Sequence, residues 1–150
     1  MELAPDFDEF IASLNARGAE FLIVGAYALA LHGAPRFTGD LDILVRPTPE
    51  NGRRVLDAIR DFGFPIEHLS PERIVDARTL LQMGEEPIQI HVMSAISGVS
   101  WDEAWADREM GPCGSQQAAY LGRASLLRNK RAAGRPKDLA DIDALKESGD

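Results

Sequence analysis

The sequence is poor in several features, and each shortage excludes a class of protein. It contains one cysteine, Cys113, so an intrachain disulfide and a cysteine-rich zinc site are both excluded. This scarcity favours a reducing, cytoplasmic setting. No segment approaches the roughly 18 uninterrupted apolar residues of a membrane span. The acidic N-terminus, MELAPDFDEF, lacks the apolar centre of a secretory signal. We therefore expect a cytoplasmic protein with no membrane partner.

Positive charge is also scarce. Lys and Arg total 16 against 24 Asp and Glu, which gives a net charge of −8 at pH 7. Proteins that coat nucleic acid nonspecifically depend on Lys and Arg to neutralise phosphates, so the composition argues against that activity. A local cluster of cations does occur near the C-terminal end, in RNKRAAGRPK, which includes Lys130 and Arg135.

The chain length suggests a single domain, residues 1–150, with one hydrophobic core. Apolar spacing and Gly or Pro punctuation predict helices at 5–17, 26–32, 49–62, 100–109, 123–133 and 136–147, with a short helical turn opened by Ser70 and Pro71. Strands are predicted at 21–24, 41–45 and 87–93. This order predicts an α/β (α+β) fold, in which a small mixed sheet is flanked by helices.

The strand at 87–93 alternates in polarity. Ile88, Ile90 and Val92 point to one face, which we expect to be buried, whereas Gln89 and His91 point to the other. The pattern predicts a half-buried strand with polar side chains on its open face.

The stretch VGAYALALHGAPRFTGDLDILV, residues 24–45, places two carboxylates inside an apolar run. Asp40 and Asp42 lie two residues apart in a strand, so they project from the same face while Leu41 and Ile43 enter the core. Two neighbouring carboxylates repel unless a cation lies between them. Mg²⁺, or another divalent metal such as Mn²⁺, prefers such oxygen ligands together with phosphate oxygens of a substrate.

Gly25 lies between a predicted strand and helix 26–32. A helix N-terminus offers unpaired N–H groups and a partial positive charge, and a glycine there lets a phosphate approach the backbone. Arg36 and Thr38 add a cation and a hydroxyl for phosphate contacts. A glycine after a strand, taken alone, is more often a plain turn. In order with the two aspartates it favours a phosphoryl-transfer site.

These residues resemble a known signature. Val24–Gly25, a helix and then Asp40-Leu41-Asp42 look like the signature of the DNA-polymerase-β-type nucleotidyltransferase superfamily. The full stretch, with ISGVSWDEAW (96–105) and NKRAAGRPKDLADIDAL (129–145), is similar to small bacterial nucleotidyltransferase-like proteins, including minimal nucleotidyltransferases and AbiEii-like toxins. The resemblance covers most of the chain.

The resemblance implies transfer of a nucleoside monophosphate from an NTP to an acceptor, with pyrophosphate as the leaving group. By the family pattern, Asp40 and Asp42 would bind Mg²⁺. The residues that would bind the nucleotide are Gly25 and Ala26 through their backbone, with Arg36, Thr38 and Lys130 assisting. For Lys130 the alternative is a solvated helix end. Asp138 and Asp141 are expected to cap the last helix or to pair with the nearby cations.

The sequence departs from the family pattern at two positions. Ala26 stands where Gly or Ser is usual, so a side-chain hydroxyl is lost. A third carboxylate is expected on strand 87–93, but the matching residue is His91, which alternation turns toward Asp40 and Asp42. His91 could be a general base with a pKa near neutrality, or a ligand for a softer metal such as Zn²⁺. It could also be the sign of a decayed site, or a structural partner of a nearby carboxylate.

Two hypotheses follow. The leading one is a metal-dependent nucleotidyltransferase with Asp40, Asp42 and His91 as catalytic residues and an unknown protein, RNA or small-molecule acceptor. The other is a noncatalytic nucleotidyltransferase-like module that binds a nucleotide or a partner protein, for example as a toxin–antitoxin component. Because the chain is small for an enzyme that grips an NTP and an acceptor, a partner protein or a homodimer could complete the cleft.

Overall fold

A computed structural model describes residues 3–36 and 38–148 of the chain. Residues 1, 2, 37, 149 and 150, which the single-domain prediction for residues 1–150 includes, lie outside the described part, and that prediction stays a prediction. Within the described part, no helix is both long enough and apolar enough to cross a membrane.

Helices and strands alternate along most of the described chain. The helices are α1 Pro5–Ala16, α2 Gly25–Leu31, α3 Pro49–Phe62, α4 Pro71–Ile74, α5 Trp101–Ala106, α6 Arg123–Ala133 and α7 Pro136–Ser148. The strands are β1 Phe21–Val24, β2 Asp40–Val45, β3 Leu80–Glu85, β4 Ile88–Met93, β5 Glu109–Cys113 and β6 Gln116–Tyr120. Every predicted helix is present, as are β1, β2 and β4, whereas the sequence analysis did not predict β3, β5 or β6.

The strands form one mixed sheet in the order β3-β4-β2-β1-β6-β5. Strand β2 lies between β1, to which it is antiparallel, and β4, to which it is parallel. Both neighbours adjoin the candidate site. Leu41, Ile43 and Val45 of β2 are fully buried. Asp40 and Asp42, which alternate with Leu41 and Ile43, are only partly buried. The prediction of an α/β fold with a small mixed sheet flanked by helices is confirmed.

Helix α5 is shorter than predicted. It begins with a capping box, in which the Ser100 hydroxyl accepts from the Glu103 N–H and the Glu103 carboxylate accepts from the Ser100 N–H. It ends at Ala106, and Glu109 instead begins β5, where it pairs with Tyr120. The prediction of a helix as far as residue 109 was therefore wrong, because pairing with the next strand, β6, overrides local helix propensity.

The alternation predicted for β4 holds except at its first residue. Ile90 and Val92 are 3% and 2% exposed, but Ile88 is 44% exposed. The expectation that Ile88 is buried was wrong, because it lies at the hairpin end of β4, opposite Glu85 of β3.

Candidate functional site

The register of β2 and β4 brings the predicted catalytic residues together. Asp42 lies beside His91, and Asp40 lies beside Gln89. The Nδ1 atom of His91 is 3.0 Å from Asp42 Oδ1, and its Nε2 atom is 3.2 Å from Gln89 Oε1. An ionised carboxylate only accepts hydrogen bonds. The Asp42 contact therefore makes Nδ1 a proton donor when Asp42 is ionised. The Nε2 contact then needs either a proton on Nε2 or a Gln89 amide turned to present its NH₂ group.

Gly25 opens α2 with a φ of 68°, a backbone conformation that residues with side chains rarely adopt. A Cβ atom at this position would also collide with Asp42 Oδ2. The sequence analysis explained the glycine by the approach of a phosphate. The structure adds a second reason, since the absence of a side chain lets the Asp42 carboxylate pack against the start of α2.

Asp42 is held in an unfavourable environment for its charge. Burial raises the pKa of its carboxyl above the ordinary value, and the nearby charge of Asp40 adds to this rise. His91 and Lys130 act in the opposite direction, but do not cancel the effect of burial. A divalent cation would offset this cost, and two carboxylates on one strand face are hard oxygen donors. In their chemistry, Asp40 and Asp42 therefore fit Mg²⁺.

Strand β4 does not supply the third carboxylate that the family pattern has beside Asp40 and Asp42. Among residues 3–36 and 38–148, no group of three His, Cys, Asp or Glu side chains is arranged to hold a metal ion. The residue next to Asp42 on β4 is His91, and neutral imidazole is a poor ligand for Mg²⁺. Any Mg²⁺ bound here would depend on Asp40, Asp42 and oxygen atoms from the substrate or water.

Lys130 is buried rather than solvated. Its side chain is 7% exposed, and its Nζ atom lies 3.4 Å from Asp138 Oδ1 and 3.0 Å from Asp141 Oδ2. Both aspartates belong to α7, so the lysine joins α6 to α7. The alternative of a solvated helix end is excluded for Lys130, and the expected pairing of these aspartates with nearby cations is observed.

Two arginines extend this cluster toward solvent. Arg36 Nε lies 3.1 Å from Asp141 Oδ1, and Arg135 Nε lies 2.7 Å from Asp138 Oδ2. Asp138 also accepts from the Arg135 backbone N–H, which caps the start of α7. Burial alone would raise the pKa of Asp138, but the hydrogen bonds from Arg135 and the charge of Lys130 hold it below its ordinary value.

One cleft contains all of the predicted site residues. Its volume is about 680 Å³, within the range of about 300–1,000 Å³ typical of ligand pockets. The predicted residues that line it are Gly25, Ala26, Arg36, Thr38, Asp40, Asp42, His91 and Lys130. The carboxylates of β2 therefore face the same space as the cations of the α6–α7 cluster. Their proposed roles stay predictions.

Sequence reasoning missed several residues of this cleft. The added residues are Leu80, Met93, Ile96, Ser97 and Asn129. Three of them fall inside the segments 96–105 and 129–145, which carry the family resemblance, so that resemblance was the available signal. Leu80 lies on β3, which the sequence analysis did not predict, and its place in the cleft comes from pairing with Met93.

Other residues singled out in the sequence lie outside the cleft. Trp101 and Trp105 stack with ring centroids 5.2 Å apart, and Arg108 lies 3.9 Å above the Trp105 ring. His32 Nε2 is 2.8 Å from the Leu121 carbonyl oxygen, and Cys113 is buried. These contacts are structural.

The fold is nucleotidyltransferase-like, as its likeness to a solved structure shows. The chain aligns with the crystal structure of a protein from Thermotoga maritima that is named "putative nucleotidyltransferase", with a TM-score of 0.58 over 97% of this chain and 94% of that one. The two sequences are 12% identical, so the likeness establishes the fold alone. No protein-family model matches the chain, and no curated protein matches its sequence.

Proposed function

We propose that this protein is a metal-dependent nucleotidyltransferase that moves a nucleoside monophosphate from an NTP to an acceptor hydroxyl. The observation that carries the proposal is the cleft that Asp40, Asp42 and His91 line together with Lys130 and Arg36, with Asp42 directly beside His91. Phosphoryl transfer needs charge neutralisation and positioning more than covalent chemistry, and this cleft supplies groups for both. A cytoplasmic location is part of the proposal, since the single cysteine suits a reducing compartment.

The nucleotide would bind through its phosphates. Asp40 and Asp42 would hold Mg²⁺, which when bound neutralises charge on the triphosphate. Lys130 and Arg36 supply positive charge on the facing wall, where three cations meet two carboxylates among the described residues and leave one positive charge in excess. This excess favours a polyanionic ligand.

Smaller contributions come from the loop and from α2. Thr38 offers a hydroxyl, and the backbone N–H groups of Gly25 and Ala26 lie at the edge of the cleft. Because α2 has seven residues, its dipole is short, and side-chain cations should dominate phosphate binding.

His91 would act on the acceptor. With Nδ1 donating to Asp42, Nε2 is the nitrogen that would accept the proton of an attacking hydroxyl, once the Gln89 side chain, whose Oε1 lies 3.2 Å from it, turns aside. Asp42 thus has two roles in this proposal, as a metal ligand and as the group that fixes the His91 ring. The acceptor is a protein, an RNA or a small molecule, and a partner protein or a second copy of the chain could help to bind it.

A noncatalytic nucleotide-binding module is the second candidate. The observation that favours it is that β4 presents His91 where the family pattern has a carboxylate, while no described group of three His, Cys, Asp or Glu is arranged to hold a metal. Such a module would bind NTP in the same cleft and release it unchanged.

Transfer of label from α-³²P-NTPs distinguishes the candidates. Wild-type protein is incubated with Mg²⁺ or Mn²⁺ and with the protein itself, bulk RNA or a small-molecule hydroxyl library as acceptor. We expect labelled product with wild type and none with Asp42→Asn. Asp61→Asn, which removes a solvent-exposed partner of Arg17, is the matched control and should retain transfer. NTP binding without transfer would support the module instead, and absence of metal-dependent NTP binding would exclude both candidates.

A further inference from the structure

We propose that the cleft contains a separate subsite for the nucleobase, and that this subsite selects adenine and cytosine by the amino group at C6 of adenine or C4 of cytosine. The inference rests on the proposed function, since it assumes that an NTP enters the cleft. It assigns the part of the cleft lining that neither phosphate nor metal binding uses.

The lining of the cleft contains both charged and apolar residues. The charged ones are Arg36, Asp40, Asp42, Lys130, Arg135 and Lys137. The apolar ones include Leu80 and Met93, which lie on β3 and β4, and Ala95 and Ile96, which follow β4. A nucleoside triphosphate needs both kinds of contact, since it has a polyanion at one end and a flat, largely apolar ring at the other.

The apolar part lies on a continuous surface. Met93 follows His91 by two residues on the same face of β4, and Leu80 of β3 pairs with it across the sheet. Leu80 is 53% exposed, so its side chain is accessible to a ligand in the cleft. Met93 has a flexible, polarisable side chain that packs well against ring faces. The surface therefore suits one face of a nucleobase.

Asn129 supplies the polar contact that discriminates between bases. Its Nδ2 atom donates to the Ser97 carbonyl oxygen at 2.9 Å, and because a carbonyl only accepts, this bond fixes the orientation of the amide. No described residue donates to Asn129 Oδ1. Oδ1 is therefore a hydrogen-bond acceptor on a residue that lines the cleft next to Lys130 in the chain.

An acceptor at this place favours a donor on the base edge. Adenine and cytosine carry amino groups at C6 and C4, whereas guanine carries a carbonyl oxygen at C6. Uracil and hypoxanthine also present a carbonyl oxygen there, which would face Asn129 Oδ1 as a second acceptor. The position thus favours ATP over ITP and CTP over UTP.

The test measures binding by calorimetry, with Mg²⁺ present, for ATP, ITP, CTP, UTP and inorganic tripolyphosphate. Wild type should bind ATP more tightly than ITP, and CTP more tightly than UTP, by about fivefold, the value of one hydrogen bond of average net strength. It should bind tripolyphosphate more weakly than ATP.

Two variants separate the parts of the subsite. Asn129→Ala should bind ATP and ITP with about equal affinity, while its affinity for tripolyphosphate is unchanged. Met93→Ala should weaken ATP and ITP equally, by about threefold to tenfold, as expected for loss of one or two buried methylene contacts. Asn15→Ala is the matched control, because Asn15 is an exposed asparagine outside the cleft that also donates to a backbone carbonyl, that of Gln117. It should change nothing.

The wild-type comparison keeps the proposal falsifiable even where a variant fails to fold. Equal affinity of wild type for ATP and ITP would overturn the base selection, and equal affinity for ATP and tripolyphosphate would overturn the subsite while leaving the proposed function intact. Loss of tripolyphosphate binding in Asn129→Ala would show that this residue only tethers the loop at Ser97, which also overturns the selection. Failure of wild type to bind every one of these ligands would reject the proposed function itself.

Discussion

Replacing Lys130 with alanine should destabilise the fold more than any change to a surface ion pair. The substitution removes the cation that lies 3.0 Å from Asp141 and 3.4 Å from Asp138. Both carboxylates are on α7, and their side chains are 8% and 0% exposed. Water therefore reaches them poorly after the lysine is lost, and their charges have to be balanced by the remaining cations.

The size of the effect follows from this burial. Breaking a buried ion pair by removing one partner costs about 3–5 kcal/mol. Here Arg36 and Arg135 remain within reach of the two aspartates, although their own side chains are 42% and 60% exposed. We therefore expect the lower end of the range, about 3 kcal/mol, which is a change of more than about 100-fold in the unfolding equilibrium. By comparison, Arg36→Ala removes a partly exposed partner and should cost about 1 kcal/mol or less.

Urea unfolding, followed by far-UV circular dichroism, measures this difference. At an m-value of about 2 kcal/mol per molar urea, the midpoint should fall by about 1.5 M with no change in slope. Lys146→Ala, an exposed lysine on α7, is the matched control and should shift the midpoint little. The double variant Lys130→Ala/Asp141→Asn should be less destabilised than the sum of the two single variants, by about 1 kcal/mol or more. A loss below about 1 kcal/mol in Lys130→Ala would refute the idea that the lysine stabilises two desolvated carboxylates.

The remaining predictions concern Asp42 and Gly25. Because burial raises the pKa of Asp42, ionisation should cost stability as pH rises above the unfolded-state value of about 3.9. Asp42→Asn should therefore become more stable relative to wild type across that rise; a difference in melting temperature between the two proteins that stays constant from pH 3 to pH 8 would contradict this. Gly25→Ala should cost at least about 2 kcal/mol, because backbone strain and collision with Asp42 add. Gly63 also has a positive φ but open space around it, so the smaller loss of stability in Gly63→Ala, measured in the same urea assay, gives the cost of backbone strain alone. Equal losses of stability in the two variants would show that Asp42 moves aside and relieves the collision at residue 25.

The sequence predicted the elements whose patterns are local. Strands β1 and β2 are short apolar runs bounded by Gly25 and Pro49, and the strand period placed Asp40 and Asp42 on one open face before any fold was known. The same period turned His91 toward them. Its 3.0 Å contact with Asp42 depends on the register of two strands whose residues are 49 positions apart, which no local pattern encodes.

The missed elements have weak local signals. The β5–β6 hairpin contains Gly111, Pro112 and Gly114, residues that are uncommon in strands, so only pairing across the turn reveals it. The burial of Lys130 likewise depends on a contact between elements that no local sequence pattern shows. In the sequence it belongs to a run of cations typical of a solvated helix end, and it becomes buried only because α7 folds back against α6 with two aspartates on the contacting side.

Helix α7 acts as a built-in counterion for the cleft. Its aspartates neutralise part of the charge of Lys130, Arg36 and Arg135, three residues that line the space in which an NTP would bind. Any event that displaces the helix, such as a truncation or a partner that binds its outer face, would remove two carboxylates together with one cleft cation, Lys137, and so would raise the positive potential around the remaining cations. The affinity of the site for polyanions is therefore coupled to the docking of the last helix in the chain.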